Sequence, residues 1–140
     1  IPFFGEKVLF VKPTTFYNET GFSARAICDF YKVDFQKDFL AIHDDLDLGF
    51  GTVRARKSGS SAGNNGLKSL ISVFGEDFAR IKIGVANEFL PKIGAVNFVL
   101  EKFSKAESEQ LPQIFEICEE LVENFIKNEL ENCKVSKIVI

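Results

Sequence analysis

Residues 39–57 read FLAIHDDLDLGFGTVRARK, and this stretch decides the fold. Phe39–His43 is a short apolar run of the kind that forms a buried strand. Asp44–Gly51 has the composition of a turn, and Val53–Lys57 alternates apolar with basic residues, as a half-exposed strand does. Working outward, Ser58–Gly63 is a glycine–serine loop that leads into a short helix from about Asn65 to Phe74. Arg80–Val85 alternates again and reads as a strand. Towards the N-terminus, Lys7–Lys12 is β-rich and ends at Pro13, which predicts another buried strand. Asn18–Tyr31 carries Phe22, Ala26, Ile27, Phe30 and Tyr31 at the spacing of one helical face. Strands alternating with helices predict an α/β domain, a sheet covered by helices.

At the C-terminal end, Ser104 opens S-K-A-E, a capping-box pattern with Glu107. Leu111, Ile114, Phe115, Cys118, Leu121, Val122 and Phe125 follow as a helical stripe. Pro112 lacks a backbone donor, so either the helix kinks there or Ser104 caps a separate turn and the main helix starts near Gln110. The second arrangement is the slightly better fit. Nine Glu stand against three Lys between Glu101 and Glu131, so the outer face of this helix is acidic and unsuited to nucleic acid.

The composition fits a single domain over residues 1–140, with 46% hydrophobic and 26% charged residues. No stretch approaches the ~20 apolar residues of a membrane span, and no secretory signal is visible. The chain begins at Ile1 and contains no Met, so it reads as a fragment or a processed product. Cys28, Cys118 and Cys133 lie far apart without a C-x-x-C pair; structural or free reduced thiols and a cytoplasmic location follow. The net charge of −3 is unevenly spread. Val53–Lys82 holds six basic residues against Glu76 and Asp77, a local +4, which leaves −7 over the rest. Such a strip serves equally as a solvated face or as a surface for phosphates.

Of the residues able to carry chemistry, HDDLD (His43–Asp47) follows an apolar strand, the usual position of site residues in α/β sheets. Its three carboxylates have the chemistry to bind Mg²⁺, but no second acidic cluster is placed to complete a shell. Asp47 reads as a turn cap, whereas Asp44 emerges first from the strand, where a carboxylate orients a partner. His43 is the only histidine. Successive strand side chains point to opposite faces, so His43 reads as a packed, hydrogen-bonded residue rather than as the partner of Asp44. The loop before Asn65 is not a phosphate-binding P-loop, because Leu67 separates Gly66 from Lys68. Gly49–Arg54 also fails as a dinucleotide fingerprint, and no cofactor is expected. Asn18 and Asn65 are neutral amides suited to holding a carbonyl or an oxyanion, with helix capping as the structural alternative for each.

Taken together and in order, KPTTFYNETG (from Lys12), HDDLD, RARK, SGSSAGNNGLK and RIKIG resemble bacterial peptidyl-tRNA hydrolases. The family pattern reads K-P-T-T-[FY]-M-N-x-S-G, H-D-[DE]-[LI]-D, a basic alternation, G-G-x-[GS]-G-H-N-G-L-K and R-[IV]-[KR]-I-G. The likeness runs from Phe4 to about Lys105. It implies an α/β domain with a mixed, mostly parallel sheet, usually monomeric, needing no metal and no cofactor. It also implies peptidyl-tRNA as substrate, with a histidine-activated water attacking the ester between peptide and ribose. Asp44 would orient that histidine, Phe16 and Asn18 would line the peptide and tRNA 3′-end site, and Asn65 would bind a water or carbonyl. Arg54, Arg56, Lys68 and Lys82 would meet phosphates.

Three departures qualify the likeness. Tyr17 stands where the family usually has Met, and Asn64 where it usually has His. The family's first strand and helix, with the segment that carries the catalytic histidine, have no counterpart here, so that histidine is expected from outside these 140 residues. Two other readings stay open: a non-catalytic RNA-binding relative of the same fold, and a metal-dependent hydrolase built on HDDLD.

Overall fold

The computed structural model describes residues 2–136. The chain starts with a minimal hairpin, β1 (Pro2–Phe3) against β2 (Glu6–Lys7), turning at Phe4 and Gly5. Both turn residues have positive φ (49° and 81°), the two-residue turn whose twist suits a hairpin. The expected strand Lys7–Lys12 is therefore not formed. Lys7 pairs with Pro2, and Leu9, Phe10 and Val11 lie outside any strand, each about half exposed or more. A β-rich composition makes a strand only where a ladder partner runs beside it.

A 3-10 turn, Tyr17–Glu19, leads into α1 (Thr20–Tyr31). Its buried face is not the predicted one. Gly21 and Cys28 face the interior, while Phe22 and Phe30 are 69% and 78% exposed. Close approach explains the choice: a Cβ at Gly21 would collide with the Ser69 backbone and the Val73 side chain of the neighbouring helix. Small residues decide the contact here, and the larger apolar ones are left outside.

After α2 (Phe35–Asp38) comes β3 (Leu40–Gly49), longer than its apolar segment. The acidic residues expected in a turn belong to the strand, and only Phe50 and Gly51 turn before β4 (Thr52–Arg56). The helix predicted from about Asn65 is α3 (Asn65–Phe74), and Arg80–Val85 lies within β5 (Ala79–Ala86). Two single-turn helices, α4 (Leu90–Ile93) and α5 (Ala95–Phe98), precede α6 (Lys105–Ile126) and β6 (Cys133–Ser136).

The sheet order is β3-β5-β4-β6, with β3–β5 parallel and the β5–β4 and β4–β6 pairs antiparallel. The sheet is mixed as expected, but with fewer parallel pairs among the described residues than a mostly parallel sheet has. The cause is the two-residue turn after β3, which sends β4 back on the far side of β5. To get there the chain passes over Gly84, where a Cβ would collide with Gly49 O and sit 2.9 Å from Leu48 Cβ.

Helices cover both faces. Ile114, Cys118 and Leu121 of α6 pack on Val53, Ala55 and Ile81; α1 and α3 pack on the other face around Ala41, Leu67, Leu70 and Phe78. Phe35 lies against Phe74, Phe39 and Phe78 in the second cluster, burying large rings worth roughly 1.5–3 kcal/mol each. The α6 helix is continuous through Pro112, contrary to the start expected near Gln110. Pro112 and Ser108 both face water, so the carbonyl deprived of its donor is solvated rather than stranded. The Ser104–Glu107 capping box forms as predicted. Phe115 is 52% exposed and falls outside the stripe, whose buried side takes Ile117 instead.

Candidate functional site

The site is assembled where the N-terminus of α3 meets β3. Asn64 caps the helix, its Oδ1 accepting from Leu67 N at 2.9 Å. The other end of the same amide, Nδ2, donates to Asp44 Oδ1 (3.0 Å) and to Asp44 O (3.2 Å). One side chain thus fastens the helix start to the exposed carboxylate of the strand. The partial positive charge of the helix N-terminus favours an anion there. Asn65, the first helical residue, is exposed and not a cap, and Asn18 lies within the 3-10 turn, so capping accounts for neither. Asn64 is the amide that sequence reasoning passed over. Its signal was its place directly before a helical pattern.

A second fastening sets the position of Phe16–Asn18. Ser69 Oγ of α3 accepts from Gly21 N (2.9 Å) and donates to Asn18 O (2.9 Å). Phe16, Tyr17, Asn18, Asn65, Lys68 and Ser69 then line a cleft of about 500 Å³. A larger cavity, about 2370 Å³, adjoins it and is lined by His43, Asp44, Asn64 and Asn65 among others. Tyr17 and Asn65 line both. Asp44 and Asn18 therefore open on neighbouring clefts joined at Asn65, not on a single one.

Segment 88–103 also lines the larger cavity and carries exposed Phe89, Val96, Leu100 and Phe103. Its two ends are held by one buried carboxylate. Glu107 Oε1 accepts from Asn87 Nδ2 at 2.7 Å, and Oε2 accepts from Ser104 N at 2.8 Å. Burial alone would raise the Glu107 pKa, but the hydrogen bonds from Asn87 and Ser104 outweigh it and hold the carboxyl below its ordinary value.

His43 turns away from this chemistry. Its Nδ1–H donates to the Asp44 backbone oxygen at 2.7 Å, not to the carboxylate, and Nε2 is buried without a hydrogen-bond partner among the described residues. Burial pushes its pKa down, and Lys82 across the sheet adds to the shift despite the Asp44 carbonyl bond. At neutral pH this is an uncharged, packed imidazole, as strand geometry predicted.

Of the other two carboxylates in the HDDLD stretch, Asp45 is committed elsewhere and Asp47 is exposed. Asp45 is buried and pairs with Lys82 at 3.6 Å, and its Oδ1 accepts from Asp47 N at 2.8 Å. The turn-like bond joining these residues is therefore accepted by Asp45, with Asp47 supplying the donor. No three His, Cys, Asp or Glu side chains gather at metal-binding distance among the described residues.

The basic strip divides in the same way. Lys82, expected at phosphates, is instead buried in its ion pair with Asp45 of the neighbouring strand β3. Arg80 is fully buried and donates to Glu76 O, Phe78 O and Ser60 O, with its guanidinium 4.1 Å from the Phe78 ring centre. Arg54 and Arg56 are half-buried, and Lys68 is exposed at the smaller cleft.

Against known proteins, the family model described as Peptidyl-tRNA hydrolase matches residues 2–138. The peptidyl-tRNA hydrolase of Fusobacterium nucleatum is 48% identical over 112 residues, covering 80% of this chain and 57% of the relative. That of Campylobacter curvus is 42% identical over 125 residues, covering 89% and 65%. The chain thus spans less than two thirds of either relative's length. A crystal structure of peptidyl-tRNA hydrolase with N-propanol superposes with a TM-score of 0.73 at 25% identity, covering 82% of this chain and 58% of that one. The Acinetobacter baumannii enzyme shares the fold, with a TM-score of 0.72 at 24% identity over 84% of this chain and 59% of its own.

Proposed function

The chain belongs to the peptidyl-tRNA hydrolase family, and from that premise we propose that the protein hydrolyses the ester bond between peptide and tRNA in peptidyl-tRNA. This activity recycles tRNA from stalled translation, in the cytoplasm and by a monomer in which residues 1–140 act as one domain. The observation that carries the reading is the Asn64–Asp44 contact in the lining of the large cavity, with Asn65 beside it. A carboxylate pinned in this way is suited to orienting a histidine, which takes a proton from the attacking water. Asn65 offers an uncharged donor to the developing oxyanion. Phe16 and Asn18 face the peptide and the tRNA 3′-end, and Arg54, Arg56 and Lys68 meet phosphates.

The histidine itself is not His43, whose Nδ1 is occupied by a backbone carbonyl. We assign it to a segment outside these 140 residues. Asp44→Ala in the complete protein is expected to cut turnover of peptidyl-tRNA by about 10²-fold or more while tRNA affinity holds. Turnover equal to the unsubstituted enzyme would leave Asp44 without a catalytic part and favour an RNA-binding relative. The 140-residue chain alone is expected to bind tRNA without turning it over. Hydrolysis by it that His43→Ala abolishes would show that His43 is the base after all.

A further inference from the structure

Strand β4 alternates between two faces: Val53 and Ala55 are buried under α6, while Thr52, Arg54 and Arg56 point the other way. Strand β6 continues this second face. Cys133 and Val135 are half-buried, whereas Lys134 and Ser136 are exposed. The register sets Lys134 directly across from Arg54, which has Lys82 on its other side, and Arg56 lies across from Arg80. Pairing of β6 with β4 therefore brings into the basic strip a cation that lies about fifty residues beyond it in sequence.

Like charges directly opposite one another weaken a strand pair, so their counter-charges matter. Lys82 has Asp45, and Arg80 has three backbone carbonyls. Lys57, at the end of β4, is taken by Glu131. Arg56 spends Nη1 on the carbonyls of Ala55 and Cys133, which aims it at β6, and no carboxylate among the described residues lies within ion-pair distance of it. Among the described residues Arg54 and Lys134 have no carboxylate within ion-pair distance, and Arg54 Nε is buried without a hydrogen-bond partner. Two hydroxyls, Thr52 Oγ1 and Ser136 Oγ, lie 3.2 Å apart at the end of the same face. Neighbouring strands are ~4.8 Å apart, so one anion between them touches cations on both.

We propose that Lys134 completes, with Arg54 and Arg56, a phosphate-binding row across β4 and β6 that takes the backbone of the tRNA. The assignment rests on the function proposed above and extends it by a residue that the strip in the sequence does not contain. Arginine on one strand supplies paired donors to a phosphate, and the lysine opposite closes the charge from the other side. An anion seated there also relieves the repulsion built into the empty row.

The test is tRNA binding by fluorescence anisotropy over a salt series, with the chain carrying Lys134→Ala, Arg54→Ala or, as a control on the acidic helix, Lys105→Ala. Lys134→Ala is expected to weaken binding several-fold and to reduce the slope of log affinity against log salt by about 0.7–0.9. The control leaves both unchanged. Thermal midpoints separate binding from folding, because loss of Lys134 removes a like-charge neighbour and should leave the midpoint unchanged or raise it. If Arg54→Ala loses affinity and slope while Lys134→Ala retains both, Lys134 is no part of the row and the inference falls while the phosphate reading survives. If neither substitution changes binding, the reading of this face as tRNA-facing falls with it.

Discussion

Replacing Lys82 by Met tests whether that residue belongs to the protein interior or to the proposed RNA-facing surface. The ammonium lies 3.6 Å from Asp45, and the two side chains are only 11% and 5% exposed. At an effective dielectric constant of about 20, their attraction is roughly 4–5 kcal/mol. Most of that is offset by the cost of taking both charges out of water, so the intact pair adds little net stability. Breaking it is different, because one charge then stays buried alone, at a cost of about 3–5 kcal/mol. Asp45 keeps its bond from Asp47 N, which places Lys82→Met near the lower end, about 3 kcal/mol. Asp45→Asn combined with Lys82→Met removes both charges at nearly constant volume and should recover most of the loss. Urea unfolding of the two single variants and the double variant gives the coupling energy directly, provided the m-values agree. A Lys82→Met protein within about 0.5 kcal/mol of the parent, with tRNA affinity reduced, would refute the argument and return Lys82 to the phosphate surface.

Two further perturbations probe the frame around the site. Gly84→Ala places a methyl group against the Gly49 carbonyl and Leu48, atoms of a crossing chain that cannot rotate away, and should cost about 3 kcal/mol or more in chemical denaturation. A loss under about 1 kcal/mol would mean that the crossing is looser than described. The Glu107 carboxyl is held below its ordinary value in the folded protein, so its contribution is complete above that ordinary value, about 4.5, and is lost as pH falls through the depressed one. Glu107→Gln should flatten the acid limb of the stability profile, and unfolding midpoints for the two proteins that stay parallel down to about pH 3 would contradict this.

The sequence disclosed elements wherever local chemistry fixes the outcome. The Ser104–Glu107 box is made by neighbours in the chain, and the start of α3 at Asn65 is likewise set locally. What stayed hidden depends on partners remote in sequence. Asp45 looks like a turn residue until Lys82 arrives from β5 to neutralise it, and the strand then runs on to Gly49. Phe22 and Phe30 have helical spacing, yet Gly21 decides which side of α1 approaches α3, through a hydrogen bond to Ser69 that spans 48 residues. Lys82 and Lys68 are equally basic in the sequence, but an ion pair with Asp45 accompanies the burial of one and a helix surface exposes the other. The order of motifs singled out Asp44, Asn18 and Asn65 together. That they open on two clefts joined at Asn65 follows from the packing of α3 against both β3 and the 3-10 turn.

The passage of the chain over Gly84 also sets a sequence of events for folding. Strands β3 and β4 are separated by two residues, yet they never pair as a hairpin, because β5 lies between them. The shortest link that β5 makes to β4, Arg56 to Arg80, spans 24 residues, and the shortest to β3, Gly49 to Ala86, spans 37. Such non-local closures are slow relative to hairpin formation. Until β5 enters, the strand that carries Asp44 has no neighbour on that side, and an open edge of this kind recruits other chains. The residues that would orient catalysis are thus laid down early in the chain but acquire their support only when a later strand slides beneath them.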